Sequence, residues 1–136
     1  MFSHVFYSRV RYAETDKMGY LYYGRYATYY EIGRVEAMRS LGVTYKTMED
    51  EWGIAMPVMT LNVRYIRPAY YDDLLEIRTM IRKIPEQSIT FHVEMYNERS
   101  ELINTAEVKL CFISVSQGSR VPAPVELLDK LKPYFE

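Results

Sequence analysis

The chain has 136 residues, 49% of them hydrophobic, and 17 Lys and Arg against 18 Asp and Glu give a formal net charge of −1. That length suits one domain with one sizeable core, and the balanced charge lacks the basic excess of a nucleic-acid-binding protein. A single cysteine, Cys111, and two histidines, His4 and His92, exclude an intrachain disulfide and a Cys/His zinc site built from this chain alone.

No apolar run approaches the roughly 18 residues of a membrane span. The opening MFSHVFYSRV does not follow the basic-then-apolar pattern of a leader. The expectation is a cytoplasmic protein forming one domain over residues 1–136, with no metal and no cofactor.

In chain order, residues 5–13 alternate and predict a first strand, with Phe6, Val10 and Tyr12 on one side and Arg9 and Arg11 on the other. Residues 14–24 predict a loop, for which Glu14, Thr15, Asp16 and Gly19 supply turn chemistry. Over residues 25–41 the period becomes helical. Tyr26, Tyr29, Tyr30, Gly33, Ala37 and Leu41 share one side, Glu31, Arg34, Glu36 and Arg39 take much of the remainder, and Gly42 is a natural stop. Glycine inside a helix costs about 1 kcal/mol relative to alanine, so Gly33, one turn before Ala37, marks a place where something packs closely on the helix. Residues 44–52 predict a short helix capped by Thr44.

Four strands follow. Residues 57–67 place Met59, Leu61, Val63 and Tyr65 on one face and end at Pro68. Residues 73–84 set Leu75, Ile77 and Ile81 opposite Glu76, Arg78 and Arg82. Residues 88–96 set Ile89, Phe91, Val93 and Met95 opposite Thr90, His92 and Glu94. Residues 102–115 set Ala106, Val108, Leu110 and Phe112 opposite Thr105, Glu107 and Lys109. The loops at 85–87 and 97–101 are short enough for antiparallel hairpins, and residues 125–131 predict a last short helix. A sheet with one apolar face must cover it, and the 25–41 helix is the only element long enough. An unpaired edge of that sheet invites a second copy of the chain, so a homodimer is expected.

The chemistry concentrates in residues 12–34. Asp16 is placed beside the start of the long helix, where backbone N–H groups lack intrahelical partners and the dipole is positive. A carboxylate next to preorganised donors can attack a carbonyl, or activate a water, while the donors hold the oxyanion that forms. Asp16 reads equally as a residue that caps a glycine turn. The 14 tyrosines, eight of them at positions 7 to 30, suit a pocket or a subunit interface. Cys111 reads as a small buried strand residue. No Gly-x-Ser-x-Gly elbow and no Gly-rich phosphate loop occurs.

Four pieces of this sequence, in this order of elements, resemble the hotdog-fold acyl-CoA thioesterases of the 4-hydroxybenzoyl-CoA thioesterase-like family. They are Thr15-Asp16-x-x-Gly19; Tyr22-Tyr23-x-x-Tyr26 with Tyr30-Glu31-x-x-Arg34; Val63-x-Tyr65-x-x-Pro68-Ala69; and Tyr71-Asp72-Asp73-x-Leu75. The resemblance implies an α+β hotdog fold, an antiparallel five-stranded sheet wrapped around a long central helix. It implies hydrolysis of an acyl-CoA or acyl-carrier-protein (acyl-ACP) thioester to a free acid and a thiol, with Asp16 as nucleophile or general base. The amide of Tyr23 would polarise the thioester carbonyl, at a site completed by the partner chain of a homodimer or homotetramer. Met18, Gly19, Tyr20, Tyr22 and Tyr26, with Val58, Met59 and Thr60, are expected to bind the acyl group. Arg64, Arg67, Arg82, Lys83 and Arg99 are the cations available to CoA phosphates.

Tyr23 departs from the family pattern, in which histidine often stands at this place. A backbone donor survives that exchange; an imidazole role does not. The alternative to a hydrolase is a non-hydrolytic acyl-CoA or acyl-ACP binding protein, or a dehydratase. Dehydratases of this fold depend on an active-site histidine, and the loop and helix start here have none.

Overall fold

A computed structural model describes residues Met1–Glu136. The elements are β1 (Phe2–Arg9), α1 (Tyr26–Ser40), α2 (Tyr45–Asp50), β2 (Ile54–Ala55), β3 (Val58–Tyr65), β4 (Leu74–Ile81), β5 (Ser88–Tyr96), β6 (Leu102–Ser114), β7 (Arg120–Val121) and α3 (Val125–Leu131). The long strands form one antiparallel sheet in the order β1-β4-β5-β6, with β3 on the other side of β6. The two-residue strands β2 and β7 pair with the last residues of β6. The five long strands are those that the alternation predicts.

Period-two burial builds the inner face of this sheet. Leu75, Ile77 and Ile81 of β4, Ile89, Phe91, Val93 and Met95 of β5, and Ala106, Val108, Leu110 and Phe112 of β6 are buried. Helix α1 lies over β1, β4 and β5 and presents Tyr26, Tyr29, Tyr30, Gly33 and Ala37 to them, which is the predicted face. Gly33 acts as expected: a Cβ built there would stand 2.7 Å from both Ile77 Cγ2 and Thr79 Oγ1. The helix therefore sits on β4 at a distance no other residue permits. Thr44 caps α2 by accepting the Thr47 N–H at 3.0 Å. Twenty-seven buried hydrophobic residues form one continuous core, Cys111 is buried, and no helix is long and apolar enough to cross a membrane.

Three local expectations are corrected. First, β1 spans Phe2–Arg9 rather than 5–13, and Tyr12 is 78% exposed instead of facing inward. The Glu14 carboxylate reaches back to the Arg11 N–H (2.9 Å) and folds Tyr12–Glu14 into a 3₁₀ turn, which ends the extended run. Second, Met59, Leu61 and Tyr65 of β3 do not join the core; they are 42%, 42% and 51% exposed. The strand lies at the sheet edge, where α1 meets it only at its Tyr65 end, and only Val63 packs against the core. Third, Arg34, placed on the outer side of the helix by its spacing, is buried, with its guanidinium against Tyr45 of α2. Tyr45, the first residue of α2, covers the part of α1 around Arg34 that periodicity alone assigns to solvent.

Candidate active site

The 14–22 loop is held by its own backbone and by the turn before β4. The Asp16 N–H donates to the Tyr20 carbonyl (2.8 Å) and the Gly19 N–H to the Asp16 carbonyl (3.0 Å). Gly19 adopts φ +80°, a left-handed conformation that a side chain would strain. The Leu21 N–H donates to the Ala69 carbonyl (2.7 Å) and the Tyr22 N–H to the Glu14 carbonyl (2.9 Å). Glu14 also accepts the Tyr29 hydroxyl at 2.5 Å, which ties the loop to α1.

Within this frame the Asp16 side chain divides its two oxygens. Oδ1 accepts the N–H groups of Met18 (2.9 Å) and Tyr20 (3.1 Å). Oδ2 has no protein donor. The turn-capping reading of Asp16 is therefore realised in one oxygen, while the other is without a partner.

The helix start supplies the donors. Tyr23–Arg25 form a 3₁₀ turn that runs into α1. The Tyr22 N–H is taken by Glu14, and the Arg25 N–H donates to the Tyr22 carbonyl (2.9 Å), whereas the N–H groups of Tyr23 and Gly24 have no protein acceptor. A Cβ on Gly24 would lie 2.7 Å from the Tyr22 ring, so the ring rests against this glycine.

Asp16, Met18, Tyr20, Tyr23 and Tyr26 come together along one open groove of about 320 Å³. Its opposite wall is Tyr65, Ile66, Arg67 and Pro68, at and just beyond the end of β3. The Tyr65 ring stands edge-on to Tyr26, with centroids 5.2 Å apart, and its hydroxyl donates to the Tyr23 carbonyl at 3.2 Å. Burial pushes the Tyr26 hydroxyl up to about 12, so it stays neutral near pH 7.

The remaining sequence candidates lie elsewhere. Gly19 shapes the turn without lining the groove, and Tyr22 stacks at a tilt on Tyr23 just outside it, 4.8 Å between centroids. Val58, Met59 and Thr60 open β3, the opposite end of the strand from Tyr65. At about 3.3 Å per residue, Thr60 is about 16 Å along the strand from Tyr65. Arg64 and Arg82 line a polar depression on the outer face of the sheet together with His92 and Glu107. Burial and the neighbouring Arg82 lower the His92 pKa. Arg99 is paired with Glu101 at 2.8 Å. Neither histidine reaches the groove. Of the far wall the sequence names only Arg67, as a cation for CoA phosphates; Tyr65, Ile66 and Pro68 are not assigned, although Tyr65 and Pro68 belong to the quoted Val63-x-Tyr65-x-x-Pro68-Ala69 piece.

Comparison with known proteins agrees with this fold. Residues 10–131 match the model of the thioesterase-like superfamily. The acyl-CoA thioesterase YbgC of Haemophilus influenzae is 30% identical over 119 residues, which cover 88% of this chain and 87% of that protein. The acyl-CoA thioester hydrolase YbgC of Escherichia coli is 35% identical over 100 residues, 74% of each chain. The crystal structure of DHNA-CoA thioesterase from Staphylococcus aureus superposes with a TM-score of 0.90 at 32% identity, covering 99% of this chain and 90% of that one. With its sheet wrapped around α1 in the hotdog fold and the family match running from the end of β1 to the last helix, the chain belongs to the thioesterase-like superfamily.

Proposed function

We propose that this protein is an acyl-CoA thioesterase in which Asp16 is the nucleophile or general base and the N–H groups of Tyr23 and Gly24 receive the oxyanion. One observation carries the reading: an Asp16 oxygen without a protein donor and a Tyr23 amide without an acceptor belong to residues lining one groove, and the next amide in the chain, that of Gly24, is also without an acceptor. The acyl carbonyl enters against Tyr23, its oxygen toward the unpartnered amides, and negative charge develops there as the carbon becomes tetrahedral. The thiolate of CoA is a good leaving group, so the absence of a histidine from the groove is compatible with the reaction.

Two routes fit the same geometry. In the first, Oδ2 attacks the carbonyl, expels the thiolate and leaves a mixed anhydride that water cleaves. In the second, Oδ2 takes a proton from a water that attacks. A single turnover in oxygen-18 water bears on them: label in the Asp16 carboxylate indicates the anhydride cleaved at the aspartyl carbon, and label only in the product acid counts against it.

The assembly in this reading is a cytoplasmic homodimer, able to associate further into a tetramer. The free edge of β3 supports it, because Val58, Met59, Leu61 and Tyr65 are all exposed along a strand that pairs with β6 on one side only. Antiparallel pairing with β3 of a second copy continues the sheet. It also brings residues 58–60 of one chain toward the tyrosine end of the other, where they would complete the acyl pocket. An acyl-CoA panel assayed by thiol release tests the activity; binding without release of CoA from any member would instead identify a non-hydrolytic acyl-CoA or acyl-ACP binding protein.

A further inference from the structure

We infer that Tyr65 is a positioning residue for the hydrolysis proposed above, holding and polarising the peptide between Tyr23 and Gly24 whose N–H is an oxyanion donor. The inference rests on that functional reading and extends it to a side chain 42 residues away in sequence.

A trans peptide is planar, so its carbonyl and N–H are fixed relative to each other. The Tyr65 hydroxyl donates to the Tyr23 carbonyl, which belongs to the same peptide plane as the Gly24 N–H. Restraining the oxygen therefore restrains the direction of the donor, at a helix start where N–H groups point back out along the axis. The companion plane is held alike, since the Tyr22 carbonyl accepts the Arg25 N–H at 2.9 Å and shares its plane with the Tyr23 N–H. Of the two restraints, one is internal to the 3₁₀ turn; the other comes from a different strand.

Tyr65 is well placed to act as that external restraint. It ends β3 opposite Asn104 of β6, and the next two amides, Ile66 and Arg67, both donate to the Ile103 carbonyl at 2.9 and 3.0 Å. Its ring is braced edge-on by Tyr26 at 5.2 Å and by Tyr23 at 6.5 Å. The hydroxyl thus projects from a rigid element toward the turn that it steadies.

The 3.2 Å separation is longer than the common 2.7–2.8 Å of O–H···O bonds, and such contacts shorten in a loaded site. Once the Gly24 N–H donates to an oxyanion, electron density shifts toward the Tyr23 carbonyl, which becomes a better acceptor for the Tyr65 hydroxyl. The bond is then stronger in the transition state than in the ground state, so its loss lowers kcat rather than raising KM.

Tyr65→Phe removes the hydroxyl and keeps the ring. The expected result is a kcat lower by about 5- to 10-fold, the scale of one neutral hydrogen bond, with KM within about twofold and an unchanged melting curve. A second readout follows the bound thioester in the Asp16→Asn background by infrared difference spectroscopy. Adding Tyr65→Phe should move the carbonyl stretch to higher frequency, because the donors pull on it less; a purely packing role would leave it unmoved. An active wild type whose Tyr65→Phe variant keeps full kcat and an unshifted carbonyl overturns this inference alone. A wild type that hydrolyses no acyl-CoA overturns the thioesterase reading and this inference with it.

Discussion

Replacing Asp16 by asparagine separates the two tasks that the proposed function gives its oxygens. Asparagine keeps a carbonyl oxygen where Oδ1 accepts the Met18 and Tyr20 N–H groups, so the turn survives and stability should change by no more than about 0.5 kcal/mol. The unpartnered oxygen becomes an amide nitrogen that can neither attack nor accept a proton. The expected loss in kcat is about 100-fold or more, about 2.7 kcal/mol of transition-state stabilisation. Alanine at the same position removes the two turn bonds as well, each worth about 0.5–1.5 kcal/mol net. Asp16→Ala should therefore lose about 1–3 kcal/mol of stability on top of the same catalytic loss. For a chain of this size each 1 kcal/mol moves the melting temperature by roughly 2–8 °C. Thiol-release kinetics at saturating acyl-CoA and thermal melts of the two variants make the test. Near wild-type kcat in Asp16→Asn, or a melting temperature as low as that of Asp16→Ala, would refute the division of labour.

Gly33→Ala should destabilise the fold by about 1–3 kcal/mol despite the better helix propensity of alanine, because the new methyl meets Ile77 and Thr79 at 2.7 Å; a raised melting temperature would contradict the close approach. Burial pushes the hydroxyls of Tyr26 and Tyr45 up to about 12, above the value near 10 of an unfolded chain. A pKa raised in the folded state gives stability that is full below about pH 10 and lost as the pH rises toward about 12, so melts in that range should fall steeply, and a flat profile would argue against burial of these hydroxyls. Size-exclusion chromatography with light scattering should give a dimer mass, and Leu61→Asp should weaken it by placing a charge on the apolar β3 edge; a monomeric wild type removes the edge-pairing proposal. If surface cations hold the CoA phosphates, KM should rise as salt goes from about 0.05 to 0.5 M, since screening shortens the Debye length; an unchanged KM would mean that the phosphates are held without them.

Elements whose burial follows from their own periodicity were legible in the chain. Helix α1 was readable from Tyr26, Tyr30, Ala37 and Leu41, and β4, β5 and β6 from strict alternation, because each faces one continuous core. Alternation in β3 carried the same signature, yet its apolar residues are exposed. Period two states that a strand has two faces, not whether anything covers either of them. Arg34 was misplaced for a related reason, since α2 packs over α1 by a tertiary arrangement that helical spacing does not encode. At the site, Asp16 and Gly19 were legible as a turn and as an acid before a helix, both local properties. The wall formed by Tyr65, Ile66, Arg67 and Pro68 was not, because it reaches Asp16 only through the pairing of β3 with β6.

The stitching of two distant turns also shapes how this region moves. The Leu21 amide bonds the Ala69 carbonyl, Tyr20 bridges Tyr70, and Val10 exchanges bonds with Asp72 and Asp73. Residues 10–21 and 69–73 therefore cannot unzip separately; they should open as one cooperative unit, with the amides of Leu21 and Val10 exchanging deuterium at a common rate. The groove wall formed by Asp16, Met18 and Tyr20 should then move with that whole unit, not as a flap that swings on its own.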